Sequence, residues 1–462
     1  MATSGLPPAF VARMRSQLAT TYPAFESAMA EAAPVSIRYN PLKPVVQFDE
    51  AAPIPWEPNG FYLGARPSFT LDPSFHAGAY YVQEASSMLI GHALRQTVDF
   101  GDSLKIMDLC AAPGGKSTLL LSHMNRQSVL LSNEVIKTRV NILKENIHKW
   151  GHPNAVVSNQ EAEDFRSLNG FFDVLLIDAP CSGEGLFRKD ENAGKEWSED
   201  NVQLCAARQR KIVANAVNLL TEGGILLYST CTYNAQENMD NVRWISEQFG
   251  CESLPIKMPA NWGVLELHEA SGFGYQCYPH LVKGEGFFFA ILRKGKSTGT
   301  ISQSTYYGNK PTHEPVLKWE AEVLGQWLQD TASLSLYKKG NGMITAVPKA
   351  IEQECATIES ALKRVSFGIE IGEFKGRDFI PSHELALSTL VSADLPCVEL
   401  EKNEALLFLK KELHNVDTDL RGWALARYRG LALGWMKILP NRINNYLPAQ
   451  FRIRMDLDAG LH

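Results

Sequence analysis

The chain has 462 residues, of which 45% are apolar and 21% charged, with a net charge of −6 at pH 7. That balance belongs to a globular protein of roughly two to four domains. No run of about 18 apolar residues occurs, so no segment is expected to span a membrane. Met1 to Leu18 lacks an apolar signal core and carries Arg13 and Arg15, which points to the cytoplasm. The eight cysteines are scattered, without a C-x-x-C pair or zinc spacing. Neither a metal site nor disulfides are expected, and each cysteine is either a small core residue or a reactive thiol. The acidic net charge argues weakly against nucleic acid, but charge has to be judged locally.

In chain order, residues 1–85 form an N-terminal extension rich in proline. Pro8 to Leu18 predicts a short helix, and Val35 to Tyr39 a strand leading to a turn. Tyr80 to Ile90 reads as the entrance to a helix.

Residues 86–296 alternate strands and helices. Strands are expected at Leu104–Leu109, Val129–Ser132, Ala155–Ser158, Asp173–Ile177 and Gly224–Ser229. Helices are expected at Lys116–Asn125, Ile136–Trp150, Ser198–Leu220 and Asn234–Gln248, the last with Asn234 and Glu237 as a capping box. This pattern predicts an α/β, Rossmann-like domain with a parallel sheet covered on both faces. Cys251–Leu254 and Phe287–Leu292 could add an antiparallel edge. Residues 297–312 read as a linker. Residues 313–395 form an intermediate α+β segment, with Leu317–Leu328 partly helical. Residues 396–462 form a small β-rich unit.

The organising stretch is Lys105-Ile-Met-Asp-Leu-Cys-Ala-Ala-Pro-Gly-Gly-Lys-Ser-Thr118. It reads as strand, glycine turn and helix. Such a turn lets a ligand approach the backbone and the first N–H groups of the helix. A P-loop reading fails at its first glycine, where Cys110 stands. An ordinary turn without a ligand is disfavoured by Glu134, which lies at the distance where open sheets place an acid on a ribose.

Asp178-Ala-Pro-Cys-Ser-Gly-Glu-Gly185 follows one apolar strand and Ser229-Thr-Cys-Thr232 ends the next. Both fall at the carboxyl edge, where ligands bind. Cys181 and Cys231 are thereby brought together beside Asp178. An amino-group methyltransferase would carry polar-Pro-Pro-aromatic here, so Asp178-Ala-Pro-Cys181 favours thiol chemistry. Cys205, Cys251, Cys277, Cys355 and Cys397 are assigned to packing. The segment Ser182 to Trp197 has a length that suits a mobile cover.

These motifs closely resemble the RNA cytosine-5 methyltransferases of the Nop/Sun group. Arg38-Tyr-Asn40, Gln83-Glu-Ala-Ser86, Phe187-Arg-Lys-Asp190, Trp197-Ser198 and Tyr278-Pro-His280 look like its bacterial ribosomal-RNA branch, the RsmF type. The strong resemblance covers about 35 to 295. It implies S-adenosylmethionine as cofactor, held over Cys110, Ala111, Ala112, Pro113, Gly114, Gly115 and Lys116, with Asp178 nearby. Glu134 would take the ribose, and Arg139 would support that acid. Family members often have an aspartate near the adenine where this chain has Asn159, which can still accept a hydrogen bond through its oxygen. Cys231 is implied as nucleophile, and Cys181 as the residue that helps product release. Asp178 would bind the base at N3, and Lys116 would donate to its O2. Sequence alone does not choose between the two thiols.

From Arg421 to Arg454 the basic residues Arg421, Arg427, Arg429, Lys437, Arg442, Arg452 and Arg454 run without an acid. Trp423, Tyr428, Trp435 and Tyr446 are interleaved, a composition that suits RNA. Either tryptophan could instead be core. The region looks like a PUA-type RNA-binding unit, and the N-terminal extension is expected to bind RNA as well. The expected function is cytosine-5 methylation of RNA, with 16S ribosomal RNA or the small subunit as partner. Transfer RNA is the near alternative. An RNA-binding assembly factor with little catalysis is the alternative of another class.

Overall fold

A ten-stranded sheet carries the glycine turn and both cysteine motifs. The computed structural model describes residues 6–269, 272–296 and 314–456; the expected linker, 297–312, lies outside them. In spatial order the strands are Leu265–Glu269, Gly272–Cys277, Phe287–Arg293, Leu220–Thr230, Phe172–Asp178, Lys105–Asp108, Val129–Asn133, Ala155–Ser158 and Val365–Phe367. Glu252–Ser253 pairs with Phe287–Arg293 as the tenth.

The five strands from Leu220–Thr230 to Ala155–Ser158 are mutually parallel. Their residues are almost all buried, as expected for a sheet covered on both faces. One face packs Leu119, Leu120 and Leu143 of the flanking helices, and the other packs Val213, Val242 and Ile245. The antiparallel edge is larger than expected, because Leu265–Glu269 and Gly272–Cys277 extend it as a hairpin.

The other edge has an addition that the sequence reading did not foresee. Val365–Phe367, from the intermediate segment, pairs antiparallel with Ala155–Ser158. The remaining strands of that segment form a separate five-stranded sheet. Two elements start away from their expected positions. Glu237 N–H does bond to Asn234 Oδ1 at 2.8 Å, but the helix itself runs Met239–Phe249, because Ala235 to Asn238 form a turn. The helix expected within Leu317–Leu328 spans Lys318–Leu324.

The N-terminal four-stranded sheet and the C-terminal four-stranded sheet share a core. Ile37, Tyr39 and Tyr80 pack with Phe408, Ala426 and Leu433. Trp435 is fully buried and donates to Ser382 O at 2.7 Å. Trp423 is half-buried, 4.3 Å from Tyr446, with the Lys437 ammonium 5.4 Å from its ring. Among the basic residues of this stretch, Arg421, Arg429, Arg442, Arg452 and Arg454 are exposed. No described helix is long and apolar enough to cross a membrane.

Candidate active site

Strand register brings the chemistry together. Phe172–Asp178 and Leu220–Thr230 are parallel neighbours with Asp178 opposite Ser229. Each chain then leaves the sheet at the same edge, carrying Cys181 and Cys231 with it. Their sulfurs are 3.1 Å apart, and Cys231 N–H points at Cys181 Sγ from 3.3 Å. The hydrogen bond to Cys231, together with burial, pushes the Cys181 thiol well above its ordinary value. Gly185 permits the close return of this segment: a Cβ there would strike the carbonyls of Gly286 and Cys231.

Asp178 is held from two sides. Ser229 Oγ donates to Oδ1 at 2.8 Å, and Lys116 Nζ donates to Oδ2 at 2.7 Å. Burial alone would lower the Lys116 ammonium, but Asp178 beside it and Asp108 nearby hold it above its usual range. Lys116 stands in the first turn of the helix Gly115–His123. Gly114 makes the entry with φ +113°, a conformation that a side chain would strain. Behind the turn, Asp108 accepts from Ser117 Oγ at 2.7 Å, and its other oxygen is buried without a partner. Burial pushes the Asp108 carboxyl up to about 7.

Glu134 directly follows the next strand, Val129–Asn133, and is buried. Its Oε1 accepts the Ile136 N–H at 2.9 Å. Its Oε2 lies 3.1 Å from Arg139 Nη1 yet receives no aligned hydrogen bond. Arg139 also donates to Ala112 O at 2.6 Å, tying the acid to the turn. Asn159 spends its amide N–H groups on the carbonyls of Glu134 and Val135, at 2.7 and 2.9 Å. Burial and the surrounding carboxylates push the Cys110 thiol above its ordinary value.

One cavity of about 410 Å³ joins these residues. Cys110, Ala111, Ala112, Pro113, Gly115, Lys116, Arg139, Asp178 and Cys231 line it. Cys181 is not on its wall but lies against Cys231, and Gly114, Glu134 and Asn159 are set back as well. The sequence reading missed the opposite wall, to which Tyr81, Gln83, Lys189 and Phe287 contribute. Two of these fall in motifs read only for resemblance, Gln83-Glu-Ala-Ser86 and Phe187-Arg-Lys-Asp190. Their placement needs long-range packing. Arg38, fully buried, donates to Gln83 Oε1 at 2.8 Å and Ser122 Oγ at 2.8 Å, and so locks the N-terminal sheet onto the turn helix.

The segment expected as a mobile cover is anchored at Glu184, Phe187, Arg188 and Trp197. Arg188 pairs with buried Glu285 at 2.8 Å and donates to Gly284 O and Ala28 O. Phe187 and Trp197 pack edge-on against Phe10. Trp197 Nε1 and Arg13 both reach buried Glu184, at 3.0 and 2.7 Å. Of the cysteines assigned to packing, Cys205, Cys251, Cys277 and Cys355 are buried, but Cys397 is exposed. It begins the edge strand Cys397–Glu399, where alternate residues face solvent.

Three family models match the chain: 16S rRNA methyltransferase RsmB/F over residues 96–293, the N-terminal domain of 16S rRNA methyltransferase RsmF over 6–85, and the methyltransferase RsmF PUA domain over 395–453. The ribosomal RNA small subunit methyltransferase F of Erwinia tasmaniensis is 31% identical, over 96% of each chain. That of Escherichia coli is 32% identical, again over 96% of each. A solved methyltransferase homologue of Pyrococcus horikoshii is 28% identical, with a TM-score of 0.51 over 63% of this chain and 100% of its own. With matches of this extent, the chain belongs to the 16S rRNA methyltransferase RsmB/F family.

Proposed function

We propose that the protein transfers a methyl group from S-adenosylmethionine to C5 of cytosine in RNA, with 16S ribosomal RNA as substrate, through a covalent adduct to Cys231. The observation that carries this reading is the pair of sulfurs 3.1 Å apart, of which Cys231 shares one cavity with the Lys116–Asp178 pair and the glycine turn.

The chain's residues suit a nucleoside cofactor. Glu134 Oε2 is buried, paired with Arg139 at 3.1 Å but without an aligned hydrogen bond, which leaves it able to accept from a ribose hydroxyl. Asn159 has both N–H groups engaged and its oxygen left for an adenine amino group. Residues Cys110 to Lys116 offer the backbone of the turn. Bound there, S-adenosylmethionine supplies an electrophilic methyl group.

Cytosine C5 is a weak nucleophile. A Cys231 thiolate adding at C6 turns C5 into an enamine carbon, which is covalent catalysis. Asp178 takes up the proton that the Cys231 thiol gives up and delivers it to N3 as negative charge develops there, while Lys116 donates to O2. Once C5 carries the methyl group, water takes the C5 proton, the C5–C6 double bond re-forms, the C6–S bond to Cys231 breaks, and the N3 proton returns to Asp178. Cys181, held as a thiol, donates its proton to that departing sulfur. The target base must be single-stranded or leave its stack to enter such a cavity. The exposed arginines of the C-terminal unit supply phosphate contacts.

The test is incubation of the protein with labelled S-adenosylmethionine and total RNA, followed by sizing of the labelled species. Label in the small-subunit RNA is expected; label confined to transfer RNA overturns the substrate assignment.

A further inference from the structure

Behind the two thiols lies a buried carboxylate that the reaction above does not use. Glu237 has no exposed surface. Its Oε2 accepts the Ser182 N–H at 2.9 Å and Gln209 Nε2 at 2.7 Å. Its Oε1 accepts Asn234 Nδ2 at 2.7 Å and the Ser182 hydroxyl. All four donors are neutral, and no cation pairs with Glu237 among the described residues. A buried carboxylate with no counter-ion is costly, and such features concentrate where function needs them. Burial pushes Glu237 up, and the four hydrogen bonds only partly pull it back.

The donors flank the cysteines. Ser182 follows Cys181 directly, and Gln209 uses its second N–H on Pro180 O at 3.1 Å. On the other strand, Asn234 also donates to Thr232 Oγ1 at 2.8 Å, and Thr232 follows Cys231 directly. Ser182 Oγ and Thr232 Oγ1 close the link at 3.1 Å. Gln209 is itself fixed, since its oxygen accepts Tyr228 OH at 3.0 Å and Asn241 Nδ2 at 2.8 Å. One carboxylate thus grips Ser182 directly, Pro180 through Gln209 and, through Asn234, the residue after Cys231.

We propose that Glu237 is a positioning residue, whose carboxylate clamps the Cys181 and Cys231 loops together and holds the two sulfurs in contact. The consequence for turnover rests on the cysteine roles proposed above. Glu237→Gln replaces one acceptor oxygen by an N–H₂ group that faces two donors, so the clamp opens on one side.

The test reads sulfur placement without RNA. Phenylarsine oxide condenses with two adjacent thiols: arsenic forms two bonds to sulfur, its oxygen leaves as water, and that water carries both thiol protons. The full-length protein is titrated with it, with Cys181→Ser as the single-thiol background. We expect Glu237→Gln to melt at a lower temperature but stay folded, and to keep its affinity for S-adenosylmethionine. Its arsenical affinity should fall about tenfold or more as the second thiol loses its effective concentration. Turnover should fall roughly 10- to 100-fold, the scale of a small misplacement at a reacting centre. Folded Glu237→Gln with wild-type arsenical affinity overturns the proposal. If that variant does not fold, Ser182→Ala decides: it removes only the hydroxyl shared by Glu237 and Thr232, and unchanged arsenical affinity there also overturns it. A wild-type protein that captures the arsenical but makes no 5-methylcytidine would instead sink the proposed reaction and leave the clamp standing.

Discussion

The sulfurs of Cys181 and Cys231 face each other across 3.1 Å from the ends of two neighbouring parallel strands. Only one of them can add to a base at a time, so the two single substitutions should separate. Cys181→Ala leaves Cys231 able to attack, and elimination is slowed. A protein–RNA species that survives heat and detergent should accumulate, require S-adenosylmethionine, and vanish in the Cys181/Cys231 double variant. A denaturing gel checks this. A covalent species from Cys231→Ala alone would exchange the two roles.

Glu134→Ala should weaken S-adenosylmethionine binding roughly 10- to 100-fold, since hydrogen bonds to a charged group contribute about 1.5–3 kcal/mol. Arg139→Ala should cost less, because the Arg139 side chain is about half exposed and is expected to act on the ribose through Glu134. Calorimetry measures both. Equal losses would mean that Arg139 contacts the ligand itself.

Asp108 predicts a pH dependence of stability. Its carboxyl titrates at about 7 in the folded chain against an ordinary 3.8. Between those values the folded chain keeps a proton that the unfolded chain has released. Stability from this group is therefore greatest at the acid end, falls as pH rises from about 4 to about 7, and is level above, by a few kcal/mol at most. Asp108→Asn keeps the shape and cannot ionise, so its urea unfolding should lack that decline. Parallel pH profiles for the two proteins would remove the assignment.

The C-terminal unit shares its core with the N-terminal sheet, so deleting it would uncover Ile37, Tyr39 and Tyr80. Charge reversal is the cleaner probe. Arg429→Glu with Arg442→Glu, both exposed, should reduce the slope of log affinity against log salt by about 0.7–0.9 for every phosphate that is no longer neutralised. An unchanged slope in a filter-binding titration would put the RNA elsewhere.

The edge that carries the candidate site was legible in the sequence because its motifs are local. A strand, a glycine turn and a cysteine three residues past a strand-end aspartate all lie within a few residues of one another. Parallel pairing then places them at one edge by topology alone. The wall built from Tyr81, Lys189 and Phe287 was not legible, since it joins segments far apart in the chain. The Ser182 to Trp197 segment read as mobile because its sequence is polar; its anchors Phe10, Ala28 and Glu285 lie elsewhere. Val365–Phe367 is only three residues long, too short for a strand pattern to announce which edge it joins. The helix expected from Asn234 starts later because Ala235 to Asn238 form a turn: Asn234 Oδ1 still accepts the Glu237 N–H, but the Asn234 amide and the Glu237 carboxylate bond to each other in the clamp.

The most direct test of the proposed reaction is nucleoside analysis. RNA is treated with the protein and methyl-labelled S-adenosylmethionine, digested to nucleosides, and resolved by mass spectrometry, with Cys231→Ala in parallel. Label in 5-methylcytidine is predicted from the wild-type protein. Cys231→Ala should lose at least about 1,000-fold in rate, the scale seen when a covalent nucleophile is removed. Label in any other nucleoside, or Cys231→Ala activity within tenfold of wild type, would contradict the assignment of Cys231 as the nucleophile that opens cytosine C5 to methylation.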